Sequence, residues 1–449
     1  MGLANITSDT GQGSVTMRRT LGMKDLIAYG LAYIAPMAPL TTFGFAWDAS
    51  GGLIGLAYLL GAICIYFTAQ SYATMSAKVS CSGSVYGFAR HSLGEVPGFI
   101  AGWLILLDYL LIPALVFLVM AIGLQTLLPN IGRTTSLVCF VVISLGVNWM
   151  GVTVTTRVSL VSVAIQFAVM VILIVLALHA LSDGKGAGML TTAPFYDATR
   201  FDPLKILTAT SICILSFLGF DAISTLSEEV KSDDRRIIGR AIFGVLAIST
   251  LLFVSTAWVL GNLVPGVDIK DPSSAIYQLL SVQISPFSAV AVAWLIVLVA
   301  GFTNVLPMQV GVSRVLFAMG RDRQLPTVLA QLHPKNGTPQ MALLFSTLLS
   351  LAVAIVMRDD IDTLATFVNF GALSAFALLH VSVLVQFAIK EKSRRLFAHW
   401  IVPSVGIVVV LVVLHGMNRS ALEIGGIWLL VGCIYGLYLR NKGRTALEV

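Results

Sequence analysis

Two acids stand inside segments that are otherwise apolar. Asp108 lies in GWLILLDYLLIPAL and Asp221 in SICILSFLGFDAIS. A charge in such surroundings is expensive, so each needs water, a protein partner or a bound cation. A capped or solvated structural carboxylate meets the same need, the more so for Asp221, which sits nearer the end of its segment. Glu228 and Glu229 follow it and read as loop charges facing Arg235 or Arg236. A third feature is the proline pair in YGLAYIAPMAPLTTFG. Pro36 and Pro39 each lack an N–H and clash with the carbonyl one turn back, so a helix here breaks or kinks. The carbonyls of Ala32 and Ala35 then lose their usual donors, in a stretch that continues through Met37 and Ala38. At membrane depth an opened helix is tolerated only where it lines a cavity. A simple kink in a packed helix is the alternative. A second interruption is Phe217-Leu218-Gly219-Phe220-Asp221. The chemistry on offer is binding of a positively charged solute, by carbonyls and carboxylates.

These residues need elements to hold them. Of 449 residues, 57% are hydrophobic and only 11% charged, with a mean hydropathy of +0.91. Soluble domains carry roughly 25% charged residues, so an ordinary soluble enzyme and a disordered chain are both excluded. An outer-membrane barrel alternates polar and apolar residues and does not reach this hydropathy. A bundle of membrane helices remains, each needing about 20 apolar residues. The chain reads as twelve spans: 26–47, 52–77, 96–128, 134–155, 158–181, 204–227, 241–264, 284–312, 340–357, 364–389, 400–416 and 421–439. Residues 1–20 are polar and the first apolar stretch is too long for a signal-peptide core, so no cleaved signal is expected. Twelve spans place both termini on one side. That side carries 21 of the 28 Lys and Arg residues. The positive-inside rule then puts both termini in the cytoplasm of a multi-pass protein of a bacterial inner membrane. RVLFAMGRDRQLP, in the longest cytoplasmic loop, reads as a short interfacial helix.

The spacing of the breaks adds more. They fall in spans 1 and 6, five helices apart. Interrupted helices at corresponding positions of two halves mark an inverted-repeat secondary transporter. The expected fold is all-α, with a five-plus-five inverted repeat and two further C-terminal helices. The divisions are a tail at 1–23, a first repeat at 24–182, a second at 183–395, and spans 11 and 12 at 396–449.

GLAYIAPM, SGSVYGFARHSLGEVPGFIAGWLILLDYLL, SFLGFDAISTLSEEV, VSRVLFAMGRDRQLP, HPKNGTP and FVNFGALSAF together resemble the amino acid–polyamine–organocation permeases, and within them the bacterial putrescine importers. The resemblance covers nearly the whole chain. It implies that the inverted-repeat fold is leucine-transporter-like, with a central substrate site at the two breaks, and proton-coupled uptake. Many permeases of this kind have a glycine-rich break in helix 1, whose N–H groups hold a substrate carboxylate. Pro36 stands there instead, which removes a donor and favours an ammonium. Two departures cut the other way. Thr41 stands where the putrescine importers carry an acid in helix 1, and NVLPMQVG departs from their small-residue pattern in span 8. In some proton-coupled relatives a lysine from helix 5 takes the place of a sodium ion. The matching position is Gln166, which carries no charge and reads as a hydrogen-bonding strut or a satisfied interhelical group. Coupling then falls to Asp108 or Asp221, or the protein is an exchanger or uniporter.

Other candidates surround these. Tyr109, next to Asp108, offers a hydroxyl and a ring face to an amine, or packs between helices. Tyr33, Phe217, Phe220 and Phe370 form an apolar box or ordinary core. Asn304, Gln309 and Asn369 are polar at membrane depth, and at least one is expected to serve only helix–helix contact. The six histidines are dispersed with no i, i+4 pair, and the five cysteines are scattered, so no metal, cofactor or disulfide is expected. Gly-x-Ser-x-Gly and the P-loop pattern are absent. No nucleic-acid footprint appears. The expectation is an importer of a small organic cation, a polyamine such as putrescine, by proton symport. Its partners are that solute, protons and membrane lipid, in a monomer or weak homodimer. An amino-acid permease on the same scaffold is the first rival. An intramembrane enzyme lacks a nucleophile–base pair, and a receptor lacks room for an output domain.

Overall fold

In the computed structural model the apolar segments are helices. The described residues are 21–79, 83–150, 153–231, 234, 236–332, 339–417 and 419–441. Among them are sixteen α-helices and no strand, with one isolated parallel bridge from Leu21 to Val230. The first predicted span divides into α1 (Met23–Ile34) and α2 (Ala38–Ala49), bent by 44°. Then come α3 (Ile54–Lys78), a short α4 (Val85–Leu93) and the 33-residue α5 (Glu95–Leu127). α6 (Arg133–Met150) and α7 (Thr153–Ser182) follow. The sixth predicted span also divides, into α8 (Pro203–Leu215) and a 3₁₀ segment (Phe220–Glu229), bent by 43°. Next are α9 (Arg236–Leu263), α10 (Ala275–Gln283) and α11 (Pro286–Leu295). A π-helical turn (Ile296–Gly301) joins α11 to α12 (Phe302–Arg321). The chain closes with α13 (Gln340–Val356), α14 (Ile361–Val383), α15 (Val402–His415) and α16 (Arg419–Asn441).

Eight helical stretches are long and apolar enough to cross a membrane, and each bent pair qualifies when taken as one crossing. Arg133–Trp149 and Gln340–Val356 are apolar but shorter. The protein is thus an all-helical, multi-pass membrane protein.

Two expectations are corrected. The boundary between the fourth and fifth predicted spans lies between Met150 and Thr153, not near residue 157. The stretch NWMGVTVTT stays apolar or weakly polar through that turn, so hydropathy does not mark it. RVLFAMGRDRQLP is not a separate interfacial helix: α12 runs unbroken to Arg321, and the chain turns only at Asp322 to Gln324, with Arg323 at φ +59°. From Met308 to Arg321 every residue has an N–H to donate, so nothing stops the helix. Its basic end carries Arg321 over the Phe317 ring, 5.9 Å from the centroid.

α5 is the central pillar. It is buried along most of its length and packs against α14, α12, α13, α16 and α4. Beside Asp108 the approach is close because Gly371 of α14 has no Cβ; one there would press on the Asp108 N–H and the Leu104 carbonyl. At the face where α1 begins, Asp322 takes hydrogen bonds from Arg90 and Tyr86, both 2.6 Å, tying α4 to the end of α12. α16 joins α5 through a reciprocal indole pair. Trp103 Nε1 donates to the Trp428 carbonyl at 2.9 Å, Trp428 Nε1 to the Trp103 carbonyl at 3.0 Å, and the rings stack at 4.4 Å. Trp428→Leu leaves the Trp103 stack and one indole bond unmade. It is expected to cost about 1–3 kcal/mol, read as a lower melting temperature of the purified protein in detergent, with substrate affinity unchanged.

Candidate substrate site at the helix breaks

The break in the first pair is built from Ala35, Pro36 and Met37. Ala35 adopts φ +61°, an unusual conformation for a residue with a Cβ, costing about 1–3 kcal/mol. Every N–H across the gap is accounted for. Ala35 donates to the Leu31 carbonyl (3.2 Å), Ala38 to Ala35 (2.9 Å) and Leu40 to Met37 (3.0 Å). Pro36 and Pro39 have none to give. The Met37 N–H donates to Gln166 Oε1 of α7 at 3.4 Å. The carbonyl ledger is different. Among the described residues nothing donates to the carbonyls of Ala32, Tyr33 and Ile34. The expectation for Ala32 matches this. That for Ala35 does not, because the tight turn gives its carbonyl to the Ala38 N–H. Two more prolines act alike: Pro113 in α5 cannot donate to the Tyr109 carbonyl, nor Pro307 in α12 to that of Thr303.

Gln166 is fully buried, and besides accepting from Met37 it donates to Ser162 Oγ at 3.2 Å and Thr303 Oγ1 at 3.5 Å. It is a strut between α7, α12 and the first break.

The second break turns on Gly219, at φ +109°, where only glycine is comfortable and a Cβ would run into the Tyr33 ring. The two breaks therefore face each other, α1 against the 3₁₀ segment and α2 against α8. A three-hydroxyl ring joins the latter pair. Thr42 Oγ1 lies 2.7 Å from Tyr58 Oη and 3.0 Å from Ser216 Oγ, which is itself 3.0 Å from Tyr58 Oη.

Between the breaks lies a cavity of about 90 Å³. Of the residues singled out in the sequence, Tyr33, Ala35, Met37, Ala38 and Asn304 line it. Its other walls come from Thr41 and Thr42 of α2, from Ile112, Leu115, Val116 and Val119 on one face of α5, and from Ser216 and Met308. The i, i+3, i+4, i+7 spacing of the α5 residues was readable in the sequence, one turn beyond Asp108, and went unused. Asn304 Oδ1 is buried and takes no hydrogen bond.

Asp108 and Asp221 are not on the cavity wall. Asp108 is one helical turn before Ile112, and Asp221 three residues after Leu218. Both displacements run toward the face where Leu21 meets Val230. Each acid is 1% exposed. Both lie near Tyr33, which lines the cavity. Asp221 Oδ2 accepts from Tyr109 Oη at 2.8 Å and Tyr72 Oη at 3.4 Å, while its Oδ1 takes none. Asp108 accepts from no described residue, and its Oδ1 is buried. Neither acid has a cationic side chain against it among the described residues. Phe217 and Phe220 are fully buried in aromatic clusters, with Tyr58 and Phe253 and with Tyr72 and Phe376. Asn369 donates to the Ser211 carbonyl at 2.7 Å, and Gln309 accepts from Asn148 at 2.7 Å; both serve helix–helix contact. Phe370 rests against Gly425 of α16. The side chains of Glu228, Glu229 and Arg235 lie outside the described residues.

A family model for amino acid permeases matches residues 27–422. The chain belongs to the amino acid permease family. As a permease it is a transporter and not an enzyme. It is 30% identical over 441 residues to the low-affinity putrescine importer PlaP of Escherichia coli (strain K12), covering 96% of this chain and 95% of that protein. It is 27% identical to the branched-chain amino acid permease BcaP of Bacillus subtilis (strain 168), over 96% and 95%. A methylthioribose transporter of the same organism is 26% identical, over 95% of each chain. The permease's break in the first helix pair is held from α7 by one amide. Gln166→Leu keeps the volume and strands the Met37 N–H. The expected cost is about 1–3 kcal/mol, seen as a lower melting temperature, with substrate uptake lost at least tenfold. Unchanged uptake would show that the break holds its shape without the strut.

Proposed function

We propose that this permease imports a small organic cation, a polyamine of the putrescine kind, by proton symport. The supporting observation is the imbalance at the site: unpaired carbonyls at Ala32, Tyr33 and Ile34, no free N–H from Ala35 to Leu40, and two buried acids without a cation. Carbonyls and carboxylates only accept hydrogen bonds, whereas an ammonium only donates. A buried charge without a partner is costly, so the empty site holds protons or takes up a cation. One ammonium sits on the carbonyls of the first break, the alkyl chain fills the apolar cavity, and Asp108 or Asp221 neutralises the other end. The second acid is then free to carry the proton. Tyr33 must swing aside to join cavity and acids. The frame is twelve spans, the first ten as two inverted five-helix repeats (24–182 and 183–395), both termini cytoplasmic. Alternating access follows from rocking of spans 1, 2, 6 and 7.

One observation favours an amino-acid permease instead. The walls from Ile112, Leu115, Val116 and Met308 would suit a branched aliphatic side chain. That reading requires a place for an α-carboxylate, and the first break has no donor for one.

Uptake of labelled putrescine into proteoliposomes, with an imposed pH gradient, separates the two. The expected result is gradient-driven uptake, competed by diamines and monoamines and not by their parent amino acids. Competition by zwitterions with none by amines defeats the cation reading. Asp108→Asn should lower uptake at least tenfold at subsaturating substrate; near-normal KM and Vmax would remove Asp108 from the site. Pro36→Gly restores a donor to the break, and competition assays should then show neutral amino acids gaining as inhibitors. Unchanged selectivity would leave the proline as a kink.

A further inference from the structure

A second cavity, of about 740 Å³, opens at the face where α1 begins, well away from the helix breaks. It lies between the end of α3, the start of α9 and the connection from α14 to α15. Its wall is basic: Lys78, Arg236, Arg240 and Arg395. Two of these cations are committed. Arg240 pairs with Asp234 at 3.1 Å, and Lys78 with Glu391 at 3.1 Å. Glu391 also takes a hydrogen bond from Gln386 at 2.8 Å; that amide and the Lys78 ammonium hold its carboxyl below the usual range. Arg236 and Arg395 have no carboxylate partner among the described residues, and both are exposed. Phe243 and Phe387 give the same cavity an apolar side. The α14–α15 connection brings four basic residues within six positions, Lys390, Lys392, Arg394 and Arg395. Leu396, Phe397 and Trp400 follow with 63%, 64% and 45% of their surface exposed. Large apolar side chains this open, next to basic ones, belong at a membrane interface.

We infer that this cavity binds the headgroup of an anionic phospholipid, its phosphate at Arg236 and Arg395 and its acyl chains against the apolar side formed by Phe243 and Phe387. The chemistry shared with a free phosphate is two guanidinium groups on the wall of one cavity. What distinguishes a lipid is the apolar side, which a soluble anion does not use. The site stands apart from the substrate cavity, so its test does not depend on any transport assay.

The experiment uses the full chain purified in a mild detergent. Binding of phosphatidylglycerol and of phosphatidylcholine is titrated by native mass spectrometry and by thermal shift. Inorganic phosphate and glycerol 3-phosphate are run as soluble arms. The expected result is preferential binding of phosphatidylglycerol, with millimolar soluble phosphates giving no comparable shift. A surface arginine contributes about fivefold to such binding. Arg236→Gln with Arg395→Gln should therefore weaken phosphatidylglycerol about 25-fold, while phosphatidylcholine is unaffected. Arg236→Lys with Arg395→Lys keeps the charges and should retain most of the affinity, which separates loss of the site from loss of fold. Equal binding of the two lipids, or an undiminished preference in the glutamine variant, overturns the proposal. Saturation by inorganic phosphate alone, with no gain from acyl chains, overturns the lipid assignment.

Discussion

Inside a bilayer a peptide group has no water to turn to, so every N–H and C=O is paired within the protein or left at a cost of about 1–3 kcal/mol. The two helix breaks are where this rule is relaxed, and only on one side. Each N–H from Ala35 to Leu40 either has an acceptor or has been replaced by a proline ring. Three carbonyls in a row have no donor. The cost falls on the surrounding packing: α5 buried along most of its length, Gly371 pressed to its backbone, and Gln166 reaching across from α7. Removing donors without removing acceptors gives the break a sign. It is a negative feature assembled from neutral groups.

The acids extend that feature by unequal means. Asp221 is held by two phenol hydroxyls, from Tyr109 of α5 and Tyr72 of α3. Asp108 has no such support. Tyr33 touches both parts of this arrangement: its side chain lines the cavity and its ring lies against Gly219 of the second break.

The breaks were legible because their causes are local. A proline cannot donate and glycine accepts a left-handed φ, whatever the tertiary setting, and Pro36, Pro39 and Gly219 stand where the chain opens. Asp108 and Asp221 were legible because hydropathy makes a mid-span charge conspicuous. The arrangement around them was not. Pro39 points to a free Ala35 carbonyl, yet a tight turn restores its partner through Ala38. Whether the acids face the cavity depends on where Tyr33 places its ring, which no spacing rule supplies. The walls from α5 were visible as a periodic face, but Leu115 and Val116 look the same whether they line a cavity or pack a core. The α6–α7 turn and the length of α12 were missed for one reason: apolar composition neither starts nor stops a helix. Backbone chemistry does, and at those points it is silent.

The same inventory bears on which solute fits. The apolar wall suits a branched side chain, but its preference over a diamine is small, because each methylene gains about 0.8 kcal/mol on burial in either. The ammonium does not choose, since both solutes carry one. Only the carboxylate differs. Placed in this cavity it would face carbonyls on one side and the two acids behind Tyr33, with no N–H from the first break to receive it. A second ammonium at the same place reverses the sign. On the proposed reading, selectivity for a cation needs no extra contact beyond those that opened the helix, provided the acids stay and the donors stay away.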